Sequence, residues 1–518
     1  MLAPFHASAA QGSGQRVIPP SAHPSILSST LRLRQCAVSC MAAISLSFPQ
    51  DASPAPANTT SRPPNFVVIL LDDSGWADFQ PFAKTPYPTP NVQRLADEGC
   101  CFDNFYVPQA VCSASRAALL TGCYPDRTRV FGAHAPRARG LDPKYATIAE
   151  VLRPRGYATA VFGKWHVGDQ PETRPPARGF DESCGLMYSN DMWKYHPENP
   201  EYWGQWPLQF WDNGKITIDP VTPEHQTQLT TWYTEHAVRF IHQHKDHPFF
   251  LYLPHSMPHV PLFCSDKFRG KSGAGLYGDV MMELDWSVGE VLKALKSAGV
   301  EQHTMVLLTS DNGPWISYGN HAGKTPFREA KGTSFDGGVR SACIIKFPGR
   351  ISPGTRSTNA FCTIDLLPTL AHLAGAALPT NPVDGKNVWD LITGRPGARN
   401  PHEYYPLTTG SEFEGVISGD GRWKLHLPHQ YRTLAEAGMD GKPGKYRQEK
   451  IEKSLFDLAN DPKETRNVLT TESSVAMRLT ALAEAHRQRF YIVQIDHNSS
   501  ATAAQPNTST NKTSLTAQ

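Results

Sequence analysis

The sequence predicts an α/β fold: a large mixed, mostly parallel sheet sandwiched by helices, followed by a smaller C-terminal α+β subdomain carrying an antiparallel sheet. Three observations lead there. From Asn65 onward, short apolar runs rich in β-branched and aromatic residues alternate with helical patterns, which is how parallel sheets are written in sequence. After about residue 395 the style shifts to short strand-like pieces between Gly- and Lys-rich loops. The length, 518 residues with 39 Gly and 44 Pro, suits two or three domains, or one large loop-rich domain with an appendage.

The elements follow in order. Residues 1–64 have no periodic pattern; Arg32 and Arg34 precede a semi-apolar run from Cys36 to Phe48 and then small residues, the layout of an export signal ahead of a linker. The clearest strands are Phe66–Leu71, Tyr157–Phe162, Phe249–Leu253 and Met305–Leu308. Leu229, Trp232, Tyr233, His236, Ala237, Phe240 and Ile241 form one helical stripe. Val280 to Leu295 holds another, stopped by Gly299. A shorter helix is expected after Asp365 as N-cap, ending at Gly375. The catalytic-size α/β region is therefore 65–395 and the C-terminal subdomain 396–495, with strands near Gly415–Ser418, Trp423–Leu427 and Ser454–Leu458 and a closing helix near Ser474–Tyr491. Residues 496–518 are low in complexity and read as a disordered tail.

Composition excludes several roles. With 50 Lys plus Arg against 48 Asp plus Glu, the formal charge is +2, too small for a protein that binds nucleic acid by bulk charge. No window reaches the roughly 18–20 apolar residues of a membrane span. Ten Cys occur without a CxxC or a structural-zinc spacing, and no disulfide framework is legible.

The residues that follow each strand carry the chemistry. The first runs into Asp72-Asp73, the second into Lys164 and His166, the third toward His255 and His259, the fourth into Asp311-Asn312. Ligands of open α/β sheets bind beyond the carboxyl ends of the strands, so these clusters should converge on one crevice. Taken singly, Asp-Asp is a cap and Asp-Asn-Gly a turn. Together, Asp72, Asp73, Asp311 and Asn312 offer oxygen donors suited to Ca²⁺ or Mg²⁺ rather than zinc. Lys164, His166, His259 and Lys331 around a cation imply an anionic ligand, a tetrahedral oxyanion such as sulfate or phosphate, with His in acid and base roles. Cys112 opens a helical pattern, where the free backbone N–H groups and dipole favour negative charge, and Arg116 follows one turn later; this reads as a nucleophile beside an anion site. Trp203, Trp206 and Trp211 offer either stacking surface for sugar or core packing.

Cys112-Ser113-Ala114-Ser115-Arg116 with Thr121-Gly122 resembles the signature of the type I sulfatases, the arylsulfatase branch of the alkaline-phosphatase-like superfamily. Further matches are Asn65–Asp73, Gly163-Lys164-Trp165-His166, Tyr188-Ser189-Asn190-Asp191, Pro258–Pro261, Ser310–Gly313, Lys331–Arg340, and Leu455–Leu458 with Asp461, Pro462 and Glu464. They run in order over about residues 65 to 470. Ala114 departs from the family's usual Pro. The resemblance implies an exported sulfuric ester hydrolase with one Ca²⁺ (or Mg²⁺) held by Asp72, Asp73, Asp311, Asn312 and residue 112. It implies that a formylglycine-generating maturation enzyme converts Cys112 to Cα-formylglycine, whose gem-diol attacks sulfur and passes through a sulfated hemiacetal. In that scheme Arg116 supports the nucleophile, Lys164 holds diol and sulfate, His166 is the base of the second step, His259 protonates the leaving alcohol, Lys331 bridges sulfate and leaving oxygen, and Ser189 contacts sulfate. His255 and His321 are candidates for lining the substrate pocket. The expected substrate is a sulfated carbohydrate or an aryl sulfate. The rival readings are a formylglycine-dependent phosphonate or phosphate-ester hydrolase and an unconverted sulfated-glycan-binding protein.

Overall fold

The computed structural model describes residues 62–492. The export signal and the low-complexity tail expected from the sequence lie outside the described residues. The chain builds eleven strands into one sheet: β1 (Asn65–Leu71), β2 (Cys100–Tyr106), β3 (Ala158–Phe162), β4 (Glu182–Leu186), β5 (Phe210–Asp212), β6 (Lys215–Ile218), β7 (Phe249–Pro254), β8 (Thr304–Ser310), β9 (Arg340–Lys346), β10 (Thr355–Ser357) and β11 (Phe361–Cys362). Their order is β10-β2-β9-β8-β1-β7-β3-β4-β5-β6, with β11 beside β2.

The four strands expected from the sequence are the neighbours β8-β1-β7-β3 at the centre of this sheet, and they pair with one another in parallel. Every residue of β1, β7 and β8 is buried, as continuous apolar strands covered on both faces must be. Parallel neighbours end at the same edge, so whatever follows the four strands must meet there. Antiparallel pairings are confined to β9 and to the far edge at β5 and β6.

The helical stripes form Leu229–Gln243 and Gly275–Ser297, the latter followed by Gly299 in the left-handed region. One cap differs from expectation. Helix Leu366–Ala374 does end at left-handed Gly375, but Asp365 does not cap it; its carboxylate accepts from the backbone N–H groups of Cys362 and Lys386 and from the Tyr405 hydroxyl. A 3-10 turn at Thr363–Asp365 already begins the helical course, which leaves that side chain free to tie three segments together.

Beyond residue 400, β12 (Tyr404–Thr409), β13 (Glu412–Ser418), β14 (Trp423–His426) and β17 (Ser454–Asp457) form an antiparallel sheet, while β15 (His429–Glu436) and β16 (Lys445–Ile451) form a separate hairpin. The closing helix is Ser473–Arg487; the sequence-based end at Tyr491 includes a π turn at Gln488–Ile492. Ala476, Leu479 and Ala483 of this helix pack on Val416, Leu425 and Leu455 of the small sheet. No helix of the described residues is long and apolar enough to cross a membrane.

Candidate active site

The centre of the cluster is Asp72 and Asp73, at the end of β1. Asp73 has a φ of 63°, a left-handed backbone that a residue other than Gly adopts only at a cost, and strain of this kind gathers at functional sites. The turn holds its place through bonds to the neighbouring strand end: Asp73 N–H donates to Asp311 Oδ1 (3.2 Å) and Asn312 Nδ2 to Asp73 Oδ1 (2.7 Å). From the end of β3, Lys164 Nζ reaches Asp72 Oδ2 (2.5 Å) and Ser189 Oγ (3.1 Å). Gly163 permits that approach, since a Cβ there would lie 1.9 Å from the Pro254 carbonyl oxygen.

Helix Cys112–Thr121 presents its first turn to the same point. Cys112 Sγ lies 3.4 Å from Asp72 Oδ1 and 3.5 Å from Lys331 Nζ. Arg116 Nη2 lies 2.9 Å from Asp311 Oδ2 and 3.5 Å from Asp72 Oδ2, while its Nη1 donates to the Lys164 carbonyl (2.7 Å). Lys331 Nζ donates to Asp73 Oδ2 (2.8 Å), and His259 Nε2 stands 3.6 Å from the same oxygen. All of these side chains are buried. The structure thus gathers Asp72, Asp73, Cys112, Arg116, Lys164, Ser189, His259, Asp311, Asn312 and Lys331 at one edge of the sheet.

Ala114 stands where the related signature has Pro. Its N–H donates to the Gly132 carbonyl (3.2 Å), a bond that Pro cannot make.

The electrostatics are crowded. Burial opposes the Asp72 charge, but Lys164, His259 and Arg116 hold that carboxyl well below its usual range. Burial and then the Asp72 charge push Asp311 up to about 7, against Arg116. Burial also works against Lys164, yet Asp72 keeps it above the ordinary lysine range. Three carboxylates are therefore held together by two lysines and an arginine, and one of the three is reluctant to ionise. Asn312 Oδ1 is buried with no partner among the described residues. Hard oxygen donors in excess, with an orphaned amide oxygen beside them, fit a divalent cation of the Ca²⁺ or Mg²⁺ type. One oxygen each of Asp72 and Asp73, Cys112 Sγ and a His259 nitrogen lie within 4.8 Å of one another.

His166 (φ 58°) is buried beside this cluster. Burial, then Lys164 and Arg116, push its imidazole well below the ordinary range, so it is neutral. Its Nε2 is 3.0 Å from the His134 carbonyl, which can only accept; the proton belongs on Nε2, and Nδ1 is left as an unpartnered acceptor. His134 was not legible as a partner, because a backbone carbonyl has no sequence signature.

The surroundings of Cys112, His255 and His321 set each of them apart. Cys112 is not a helix-activated thiolate: burial and the adjacent Asp72 push its thiol up, outweighing the helix terminus. His255 is used in packing. Its Nε2 is 3.1 Å from Ser287 Oγ, its ring lies against Tyr233, and burial alone depresses it to about 3 with no charged group acting on it. His321 closes a 3-10 turn and faces Asp440 at the tip of the β15–β16 hairpin. Of the three tryptophans, Trp211 is buried under Arg174 (4.5 Å), while Trp203 and Trp206 are half-buried with Tyr202 exposed beside them.

The Sulfatase family model matches residues 64–376, most of the described chain and the whole cluster. The chain belongs to the sulfatase family. It is similar to arylsulfatase A of Bos taurus, 34% identical over 80% of this chain and 85% of that one. It is also similar to N-acetylgalactosamine-6-sulfatase of Canis lupus familiaris, 33% identical over 82% of this chain and 86% of that one. Among solved structures, the PsFucS1 sulfatase from Pseudoalteromonas sp. superposes with a TM-score of 0.74 at 26% identity, covering 83% of this chain and 91% of the other. The protein is a sulfatase enzyme of the alkaline-phosphatase-like type, with the mostly parallel sheet and separate C-terminal antiparallel sheet that the sequence predicted. In this sulfatase all eight described cysteines are free and buried, so Cys112 is distinguished by its neighbours rather than by its pairing state.

Proposed function

We propose that this sulfatase hydrolyses sulfate esters of carbohydrates, using Cα-formylglycine formed from Cys112 and one Ca²⁺ (or Mg²⁺). The observation that supports this most is the position of Cys112 Sγ, 3.4 Å from Asp72 Oδ1 and 3.5 Å from Lys331 Nζ, at the first turn of a buried helix. The raised thiol is a poor nucleophile as it stands, which fits a side chain that needs conversion before it acts. Hydration of the aldehyde supplies a gem-diol, one hydroxyl to attack sulfur and a second whose deprotonation releases sulfate. Asp72, Asp73, Asp311, Asn312 and residue 112 would hold the cation, which supplies charge stabilisation at the nucleophile and sulfate oxygens.

The chain's own residues divide the remaining work. Arg116 stays charged between Asp72 and Asp311 and fixes both carboxylates around residue 112. Lys164 and Ser189 form one hydrogen-bonding pair for sulfate oxygens, and Lys331 supplies positive charge on the leaving-group side. His259 donates through Nδ1 to the Val260 carbonyl (2.5 Å), which leaves Nε2 to carry a proton to the leaving alcohol. The unpartnered Nδ1 of neutral His166 accepts the proton of the second step. His255 and His321 take no part in this account.

Conversion precedes folding in this proposal, because Cys112 to Arg116 are all at most 1% exposed and no modifying enzyme could reach them afterwards. A formylglycine-generating enzyme is therefore the required partner. Export follows from the signal-like pattern at residues 32–57. The test is turnover of an aryl sulfate against the matching aryl phosphonate by chain co-expressed with the maturation enzyme. Sulfate preferred over phosphonate, with loss of turnover after complete Ca²⁺/Mg²⁺ removal, is expected; preference for the phosphonate, or turnover indifferent to chelation, overturns the proposal.

A further inference from the structure

Trp315 is a half-buried ring that the roles above leave unused, and it touches both residues assigned to the leaving alcohol. Lys331 Nζ lies over its face, 4.4 Å from the ring centroid, and the His259 ring stands 5.4 Å away at 62°, edge-on. Lys331 Nζ is also 2.8 Å from Asp73 Oδ2 and 3.5 Å from Cys112 Sγ. The ammonium is therefore held between a carboxylate, the side chain that becomes the nucleophile and an aromatic face. His259 is fixed from two directions, by its Nδ1 bond to the Val260 carbonyl and by the indole.

An aromatic face attracts an ammonium through its quadrupole, by about 0.5–2 kcal/mol, yet it takes no proton and adds no net charge. A second carboxylate in that place would neutralise Lys331, and an aliphatic side chain would leave the buried ammonium drawn toward Asp73 alone. The indole steadies Lys331 while its charge stays available to an anion. Several contacts place this ring. Trp315 follows the end of β8, and the Pro314 carbonyl accepts from the Lys331 N–H (3.1 Å), which ties the two backbones together. Tyr318, 1% exposed, packs on the indole at 5.0 Å. The turn Ile316–His321 is clasped by the β15–β16 hairpin, whose Gly438 and Gly444 N–H groups both donate to the Ser317 carbonyl (2.8 and 2.7 Å). Trp315 Nε1 has no hydrogen-bond partner among the described residues, so packing sets the ring.

We infer that Trp315 is a positioning residue for departure of the alcohol: its face holds the Lys331 ammonium and its flank the His259 imidazole, aiming both at the oxygen that leaves sulfur. As sulfur bonds to the oxygen of residue 112, its bond to the ester oxygen breaks. The electron pair stays on that oxygen, and His259 Nε2 delivers the proton that makes it an alcohol. Lys331 offsets the negative charge until the proton arrives. The inference rests on the proposed sulfatase reaction and deepens it.

The test compares wild type, Trp315→Leu and Trp315→Phe, each with residue 112 converted, on 4-nitrophenyl sulfate and on phenyl sulfate. The nitrophenolate leaves with little help, whereas the more basic phenolate depends on the charge and the proton, so a displaced Lys331 and His259 must hurt phenyl sulfate more. Trp315→Leu should lower kcat/KM about 10- to 30-fold on phenyl sulfate and about 3-fold on 4-nitrophenyl sulfate. Trp315→Phe, which keeps an aromatic face and breaks no hydrogen bond among the described residues, should recover most of that selectivity. If Trp315→Leu does not fold, tetrafluorotryptophan at position 315 keeps the ring's shape but weakens its attraction for the ammonium, and it should shift the phenyl-to-nitrophenyl ratio the same way. Equal losses on the two esters, or no loss on either, overturn the inference and leave the sulfatase reaction standing. A converted wild type that cleaves aryl phosphonate but no sulfate overturns the reaction and the inference together.

Discussion

Two buried ionic clusters, built from the same kinds of residue, behave in opposite ways. Around Asp72, three carboxylates crowd against Lys164, Lys331 and Arg116, and Asp311 is driven up to about 7. Near the C-terminal sheet, Lys424 Nζ lies 2.5 Å from Asp336 Oδ1 and 3.2 Å from Glu464 Oε1, His426 Nε2 lies 3.0 Å from Glu464 Oε2, and the Asp336 N–H donates to Glu464 (2.7 Å). There Lys424 and His426 overcome burial and hold Glu464 down to about 2. In the first cluster the Asp72 charge adds to burial against Asp311, whereas the groups facing Glu464 in the second are Lys424 and His426. The proposed cation would relieve the crowding around Asp311, whereas Glu464 is already satisfied by its own neighbours.

The joint also serves the site. Glu464 anchors Asp336 and, through its carbonyl, Arg328; these flank the loop that carries Lys331. From the hairpin, Arg432 Nη2 donates to the Lys331 carbonyl (2.8 Å). The C-terminal elements thus fix the backbone of a residue whose amine reaches Cys112.

Four substitutions separate the two clusters. Replacing Cys112 with Ala should abolish turnover, by about 10⁴-fold or more in kcat, with little change in thermal unfolding of the metal-free chain. Lys424→Met should take the cation from between two buried carboxylates, leaving Asp336 with Arg340 and Glu464 with His426, and cost about 3–5 kcal/mol in denaturant unfolding, an effect on folding rather than chemistry. Lys331→Ala should lower kcat/KM for aryl sulfate by about 10²–10³-fold while the unfolding midpoint moves far less than in Lys424→Met. If Lys331→Ala proves the more destabilising of the two, the contrast drawn between the clusters fails.

The smallest effect concerns pH. Burial depresses His426 to about 4, against Glu464. The fold holds the neutral imidazole, so the unfolded chain protonates first, and stability declines as pH falls from about 6.5 through about 4, by about 3 kcal/mol at most. His426→Gln keeps a donor for Glu464 and should flatten the decline in unfolding midpoint between pH 7 and pH 4. An undiminished decline in that variant would assign acid lability to other groups.

Much of the site was legible because it is local. Asp72-Asp73, Lys164, His259 and Asp311-Asn312 each follow an apolar strand, and parallel pairing of β8, β1, β7 and β3 brings strand ends together. The illegible parts depend on contacts distant in sequence. The burial of Trp211 under Arg174, the Ser287 partner of His255 and the use of Asp365 as a tie between segments are set by tertiary packing.

The central claim is that the crowded cluster was built around a converted Cys112. Mass spectrometry of the peptide spanning Cys112, from active enzyme, tests it most directly. The account predicts an aldehyde in place of the thiol, in a fraction that tracks specific activity. Turnover by protein whose residue 112 is still an intact thiol would contradict it.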